Sequence, residues 1–170
     1  MIADKLKKIK LLLLDVDGVL TDGSIIFNDK GQESKQFNVK DGFGMKLLMS
    51  VGIQLGIVTG RRSMALTHRC NDLGIRLIFD GISEKASILD EIQRRTGIST
   101  DNIAFVGDDI PDLALMRRIG VSIAVANAHE NVRAQADWVT SAPGGAGAVR
   151  EVCEAILKSQ GTWDNILEHM

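Results

Sequence analysis

The chain has 170 residues, 45% hydrophobic and 25% charged, the balance of a globular protein long enough to bury a core without staples. Its formal charge of -2 gives no basic footprint for a nucleic-acid backbone, and no apolar run approaches the ~20 residues of a membrane span. Two cysteines, Cys70 and Cys153, are too few and too scattered for a disulfide framework or a zinc site, and read as reduced packing residues.

The Lys-rich start, Met1–Lys10, leads into four leucines before Asp15 interrupts, so no signal peptide is expected and the protein is expected in the cytoplasm. Leu11–Leu14 is the first apolar run of strand length, as expected of a strand buried on both faces. Ser24–Phe27 and Ser34–Val39 are β-prone and flank Asn28-Asp29-Lys30-Gly31, which predicts a hairpin. Asp41 is placed to cap a helix that stops near Gly52. Gln54–Val58 and Arg76–Phe79 are the next two strands. Ser83 is placed to cap a helix ending at Gly97, Ile103–Val106 is a fourth strand, and Pro111 fits the first turn of a helix closing at Gly120. Val121–Val125 is a fifth strand, His129 reads as a helix start, Ala148–Ser159 as an amphipathic helix, and 160–170 as a loose tail. The alternation predicts a Rossmann-like open α/β sheet, mostly parallel, with helices on both faces and right-handed crossovers. A single domain over 1–170 is expected, with the hairpin projecting over about 23–39.

Ligands of such sheets bind beyond the carboxyl ends of the strands. There stand Asp15-Val16-Asp17-Gly18, Thr59-Gly60-Arg61, and Gly107-Asp108-Asp109 with Asp112 one turn on; Lys85 opens the helix after Arg76–Phe79. Singly, a strand-end aspartate is a turn former or a cap. Jointly, Asp15, Asp17, Asp108 and Asp109 would converge on one crevice, and two such charges ~4 Å apart repel by about 4 kcal/mol at an effective dielectric near 20. Such a gathering implies a cation. Hard oxygen ligands without His or Cys point to Mg²⁺ rather than zinc. A carboxylate can attack phosphorus, and a second one two residues on can protonate the leaving alkoxide and then activate water. Thr59, the Gly60 amide and Lys85 can hold the equatorial phosphoryl oxygens.

These four elements resemble the signature of the haloacid dehalogenase superfamily. The resemblance implies Asp15 as nucleophile, Asp17 as general acid/base, and Mg²⁺ held by Asp15, the Asp17 backbone carbonyl and Asp108. It makes Thr59 and Lys85 the phosphoryl clamps, with Asp109 and Asp112 as orienting partners. From about Lys8 to Gln160 the chain resembles the capless 3-deoxy-D-manno-octulosonate 8-phosphate phosphatase family. That likeness is carried by the first element, Phe37–Gly42, Thr59-Gly60-Arg61, Arg69-Cys70, Ala124–His129 and Gly147–Cys153. It implies a sugar-acid phosphate substrate met by Asp17, Asn38, Val39, Lys40, Asp41, Gly42, Lys46, Gly60, Arg61, Arg69 and Lys85, and a role in lipopolysaccharide precursor synthesis. It also implies a homotetramer whose hairpins meet in a central barrel, with each site roofed by a neighbour and closed by a C-terminal tail.

One departure concerns Gly144-Gly145-Ala146-Gly147, where Ala146 stands at a position that is often basic in the family. It leaves open what meets the substrate's carboxylate; Arg150 is near in sequence. The alternatives are a phosphatase for a nine-carbon sialic-type sugar-acid 9-phosphate, or a non-catalytic tetramerisation module. A dinucleotide-binding enzyme is not supported, because Gly42-Phe43-Gly44 is followed by Leu47 where a third glycine belongs.

Overall fold

The structure, a computed structural model, describes residues 1–169. A short helix α1 (Ile2–Leu6) precedes β1 (Leu11–Leu14), and the hairpin β2 (Ile26–Phe27) and β3 (Glu33–Ser34) follows. Then α2 (Val39–Ser50), β4 (Gln54–Val58), α3 (Met64–Leu73) and β5 (Leu77–Phe79) alternate. A 3₁₀ turn (Lys85–Ile88) leads into α4 (Leu89–Thr96) and β6 (Ile103–Gly107); a second (Ile110–Asp112) leads into α5 (Leu113–Met116). The chain continues through β7 (Val121–Ala124), α6 (Glu130–Gln135), β8 (Trp138–Val139), α7 (Ala148–Ser159) and α8 (Trp163–Glu168).

Six strands pair in parallel in the order β5-β4-β1-β6-β7-β8. Every residue of β1, β6 and β7 is buried, which is why those segments are continuous apolar runs rather than alternating ones. The chain steps from β1 outward to β4 and β5, then returns past β1 to β6 and steps the other way. With right-handed crossovers, α2 and α3 therefore lie on one face and α4, α5 and α6 on the other. α7 packs along α2, and α1 packs on α7. The reversal of direction falls between β1 and β6, where an open sheet leaves a crevice.

Several sequence expectations shift. The hairpin pairs only two residues a side, Ile26 with Ser34 and Phe27 with Glu33, and Val39 starts α2 instead of ending a strand. Its tip is set by the Asn28 carboxamide, which accepts from the Lys30 and Gln32 amides. Asp41 does not cap its own helix: Asn38 does, its side chain accepting from the Lys40 and Asp41 amides. Asp41 instead accepts the Arg150 amide at 2.7 Å, so it holds the N-terminus of α7 from across the helix pair. The helix predicted from Ser83 to Gly97 is split into the 3₁₀ turn and α4, and the one predicted from Pro111 to Gly120 ends at Met116. β8 was not predicted. The expected loose tail holds α8, with Trp163 under the cations of Arg150 and Lys158 at 5.6 and 5.0 Å; Met170 lies outside the described residues. Both cysteines are buried, and burial pushes the Cys70 thiol up to about 11 and Cys153 higher still.

Candidate active site

The residues that directly follow β1, β4 and β6 meet at one cavity of about 400 Å³ at the carboxyl edge of the sheet. Asp15 follows β1, with its amide donating to the Val106 carbonyl of β6 at 3.0 Å. Thr59 follows β4 and is tied to β5 by donating its amide to Phe79. Asp108 follows β6. The cavity wall includes Asp15, Asp17, Thr59, Gly60, Arg61, Lys85, Asp108, Asp109 and Asp112. Each residue read from the signature elements therefore reaches the same place.

The inner end is a compact cluster. Asp15, Asp108 and Asp112 each offer a carboxylate oxygen within 4.8 Å of the others. Lys85, 4% exposed, lies 3.0 Å from Asp15 and donates to Asp112. The second Asp112 oxygen accepts the Asp108 and Asp109 amides at 2.8 and 3.2 Å, which fixes the turn after β6. Asp109 is exposed and accepts the Ile110 amide, so its carboxylate serves the turn. Burial pushes the Asp15 carboxyl above its usual range despite Lys85. Burial and the charges of Asp15 and Asp112 push Asp108 up to about 7. Burial works against the Lys85 ammonium, but Asp15 and Asp112 outweigh it and raise its pKa. Three carboxylates, Asp15 and Asp112 buried and Asp108 half-buried, face one lysine and leave an excess of negative charge. The donor set is all hard oxygen, as Mg²⁺ requires.

Two glycines make the cluster possible. Gly18 has φ +90, and a Cβ there would sit 2.0 Å from an Asp108 oxygen. A Cβ on Gly144 would sit 1.7 Å from the Gly18 carbonyl, so the glycine loop packs directly on the aspartate loop. Ala146 of that loop is exposed. Arg150 is turned away: its guanidinium donates to Glu154 and lies over Phe43 and Trp163. His129 caps α6 through Nδ1, which accepts the Asn131 amide.

The remaining predicted substrate contacts separate into two groups. Arg61 stands on the cavity wall. Asn38, Asp41 and Arg69 instead line a distinct crevice of only about 10 Å³, where Arg69 donates to the Asn38 carbonyl and lies over Phe37. Gly42 is buried beside Arg69, and Val39, Lys40 and Lys46 are exposed on the first turns of α2. Among the cavity-lining residues, Arg61 and Lys85 are the cations. Sequence reasoning missed Glu33 and Lys35, which the hairpin brings onto Arg61 and Asp17. Their i, i+2 spacing in a β-prone segment was the available signal.

The haloacid dehalogenase-like hydrolase family profile matches residues 77–151. The 3-deoxy-D-manno-octulosonate 8-phosphate phosphatase KdsC of Escherichia coli K12 is 43% identical over 160 residues, 94% of this chain and 85% of that protein. The phosphatase of the same name from Moraxella catarrhalis, solved with magnesium, phosphate and KDO, superposes with a TM-score of 0.96 at 45% identity, over 99% of this chain and 97% of that one. The cobalt-bound deoxy-D-mannose-octulosonate 8-phosphate phosphatase of Haemophilus influenzae gives 0.91 at 42% identity, over 94% and 93%. The chain belongs to the 3-deoxy-D-manno-octulosonate 8-phosphate phosphatase family of haloacid dehalogenase-like hydrolases.

Proposed function

We propose that the chain hydrolyses 3-deoxy-D-manno-octulosonate 8-phosphate to the free sugar acid and phosphate, through an aspartyl-phosphate on Asp15. The observation that carries this reading is the meeting of Asp15, Asp108, Asp112 and Lys85 at the floor of one cavity, in a chain of that family. An Asp15 oxygen attacks phosphorus while the bond to the sugar oxygen breaks and Asp17 gives that oxygen a proton. Asp17 then takes a proton from water as the water attacks phospho-Asp15, which returns the carboxylate and releases phosphate. Lys85 and the Thr59 hydroxyl hold the phosphoryl oxygens as charge spreads over them. Asp15, Asp108 and the Asp17 carbonyl would hold Mg²⁺, whose charge offsets the repulsion between nucleophile and phosphate when it is bound. Asp112 orients Lys85 and the turn carrying Asp108.

The cavity offers Arg61 to the sugar's carboxylate, and we infer that further cations come from a neighbouring copy. Lys40 and Lys46 are exposed on α2, outside their own chain's cavity, and are free to serve a neighbour's. A homotetramer joined through the hairpins is the arrangement this requires, with the reaction in the cytoplasm, where buried thiols stay reduced. The test is phosphate release across sugar-acid phosphates, nine-carbon 9-phosphates included, with and without Mg²⁺. The eight-carbon substrate should lead in kcat/KM. Equal rates on all substrates, or full activity after exhaustive chelation, would refute the reading.

A further inference from the structure

Four side chains at the mouth of the cavity close a ring of alternating charge. Lys35 Nζ donates to Asp17 Oδ1 and lies 3.4 Å from Glu33 Oε1. Arg61 Nη2 donates to that same Glu33 oxygen at 2.7 Å, and Arg61 Nε lies 3.4 Å from Asp17 Oδ2. The four members differ in exposure. The Lys35 side chain is 1% exposed, whereas that of Arg61 is 42% exposed and lies on the cavity wall. An ammonium enclosed to that degree is tolerable only with fixed counter-ions, and Asp17 and Glu33 are those ions. The donors around Glu33 hold its carboxyl down at about 2, so this anchor stays charged.

We propose that Lys35 is a positioning residue for Asp17, and that Glu33 is the anchor that fixes Lys35. The proposal rests on the reading of Asp17 as the proton donor to the leaving oxygen. Arg61, its side chain 42% exposed on the cavity wall, has room to swing from Glu33 and Asp17 toward an incoming anion, which takes one partner from Asp17. Lys35 cannot follow, because its side chain is enclosed between Asp17 and Glu33. It therefore keeps the Asp17 carboxyl group in one orientation while substrate is bound, and proton transfer to the leaving oxygen depends steeply on that orientation. The hairpin thus supplies a support for the chemistry of its own chain.

The test uses single turnovers with enzyme in excess and two leaving groups. The sugar alkoxide of 3-deoxy-D-manno-octulosonate 8-phosphate needs a proton; the p-nitrophenolate of p-nitrophenyl phosphate does not. Lys35→Met should slow release of the sugar at least about 10-fold, with little change for p-nitrophenol and in substrate affinity. Lys35→Arg should recover part of the loss, and Glu33→Gln, which leaves the lysine in place, should show the same leaving-group pattern in weaker form. Adding Lys35→Met to Asp17→Asn should cost nothing more. An equal loss on both substrates, or a loss confined to KM, would overturn the proposal. So would an unaffected Lys35→Met alongside an Asp17→Asn that does discriminate between leaving groups. If Asp17→Asn itself fails to discriminate, the assignment of Asp17 falls and the proposal falls with it.

Discussion

Asp15 and Asp108 are carboxylates that the metal-free fold holds above their ordinary range, chiefly by burial. Between the ordinary value of 3.8 and about 7, the native Asp108 keeps a proton that the unfolded chain has lost. Native stability of the metal-free protein therefore falls as pH rises through that window, and Asp15 acts in the same direction. The melting temperature should drop from about pH 4 to pH 7 without metal, and Mg²⁺ should raise it most at the upper end, where its ligands are already deprotonated. Asp108→Asn should flatten both responses. Scanning calorimetry across pH, with and without Mg²⁺, checks this; a wild-type slope of opposite sign would count against the cluster. Asp15→Asn should leave the fold intact and lower turnover at least about 10³-fold, because an amide is no nucleophile. Most of these residues were legible in the sequence, since strand-end position alone brings Asp15, Thr59 and Asp108 to one edge. Asp41 was not. Its partner, the Arg150 amide, lies 109 positions away, and local capping patterns carry no such information.

At the scale of elements, the α2–α7 pair holds one wall of the molecule together. Asp41 is 1% exposed and accepts the Arg150 amide in the first turn of α7, so removing its carboxylate leaves that donor without a partner. Asp41→Ala should cost about 1–3 kcal/mol by urea unfolding, with Asp41→Asn retaining part of the bond. A change within measurement error would show that water satisfies that amide. The sheet strands were read within a residue or two because a fully buried parallel strand is a continuous apolar run. β8 escaped notice because its two residues, Trp138 and Val139, are too short for any period to register. The hairpin was read too long because β-prone composition continues past Ser34, while Asn38 caps α2 and takes Val39 into the helix.

For the whole molecule, the hairpin leaves Ile25, Ile26 and Phe27 about half exposed, at 51, 48 and 59%, on a ribbon too small to be stable alone. Packing these ribbons together in a closed assembly would cover them and satisfy their edges. Ile25→Asp with Phe27→Asp should reduce the mass measured by light scattering. The variant should keep p-nitrophenyl phosphate hydrolysis while losing most kcat/KM on the sugar-acid phosphate, if a neighbour supplies the missing cations. A monomeric wild type, or a monomeric variant equally active on the sugar acid, would refute the assembly. The chemistry is tested most directly by rapid quench of the enzyme with Mg²⁺ and phosphorus-labelled 3-deoxy-D-manno-octulosonate 8-phosphate, followed by peptide mapping. The label should appear transiently on Asp15 and vanish at the rate of phosphate release; label on any other residue, or turnover without a labelled enzyme, would contradict the account.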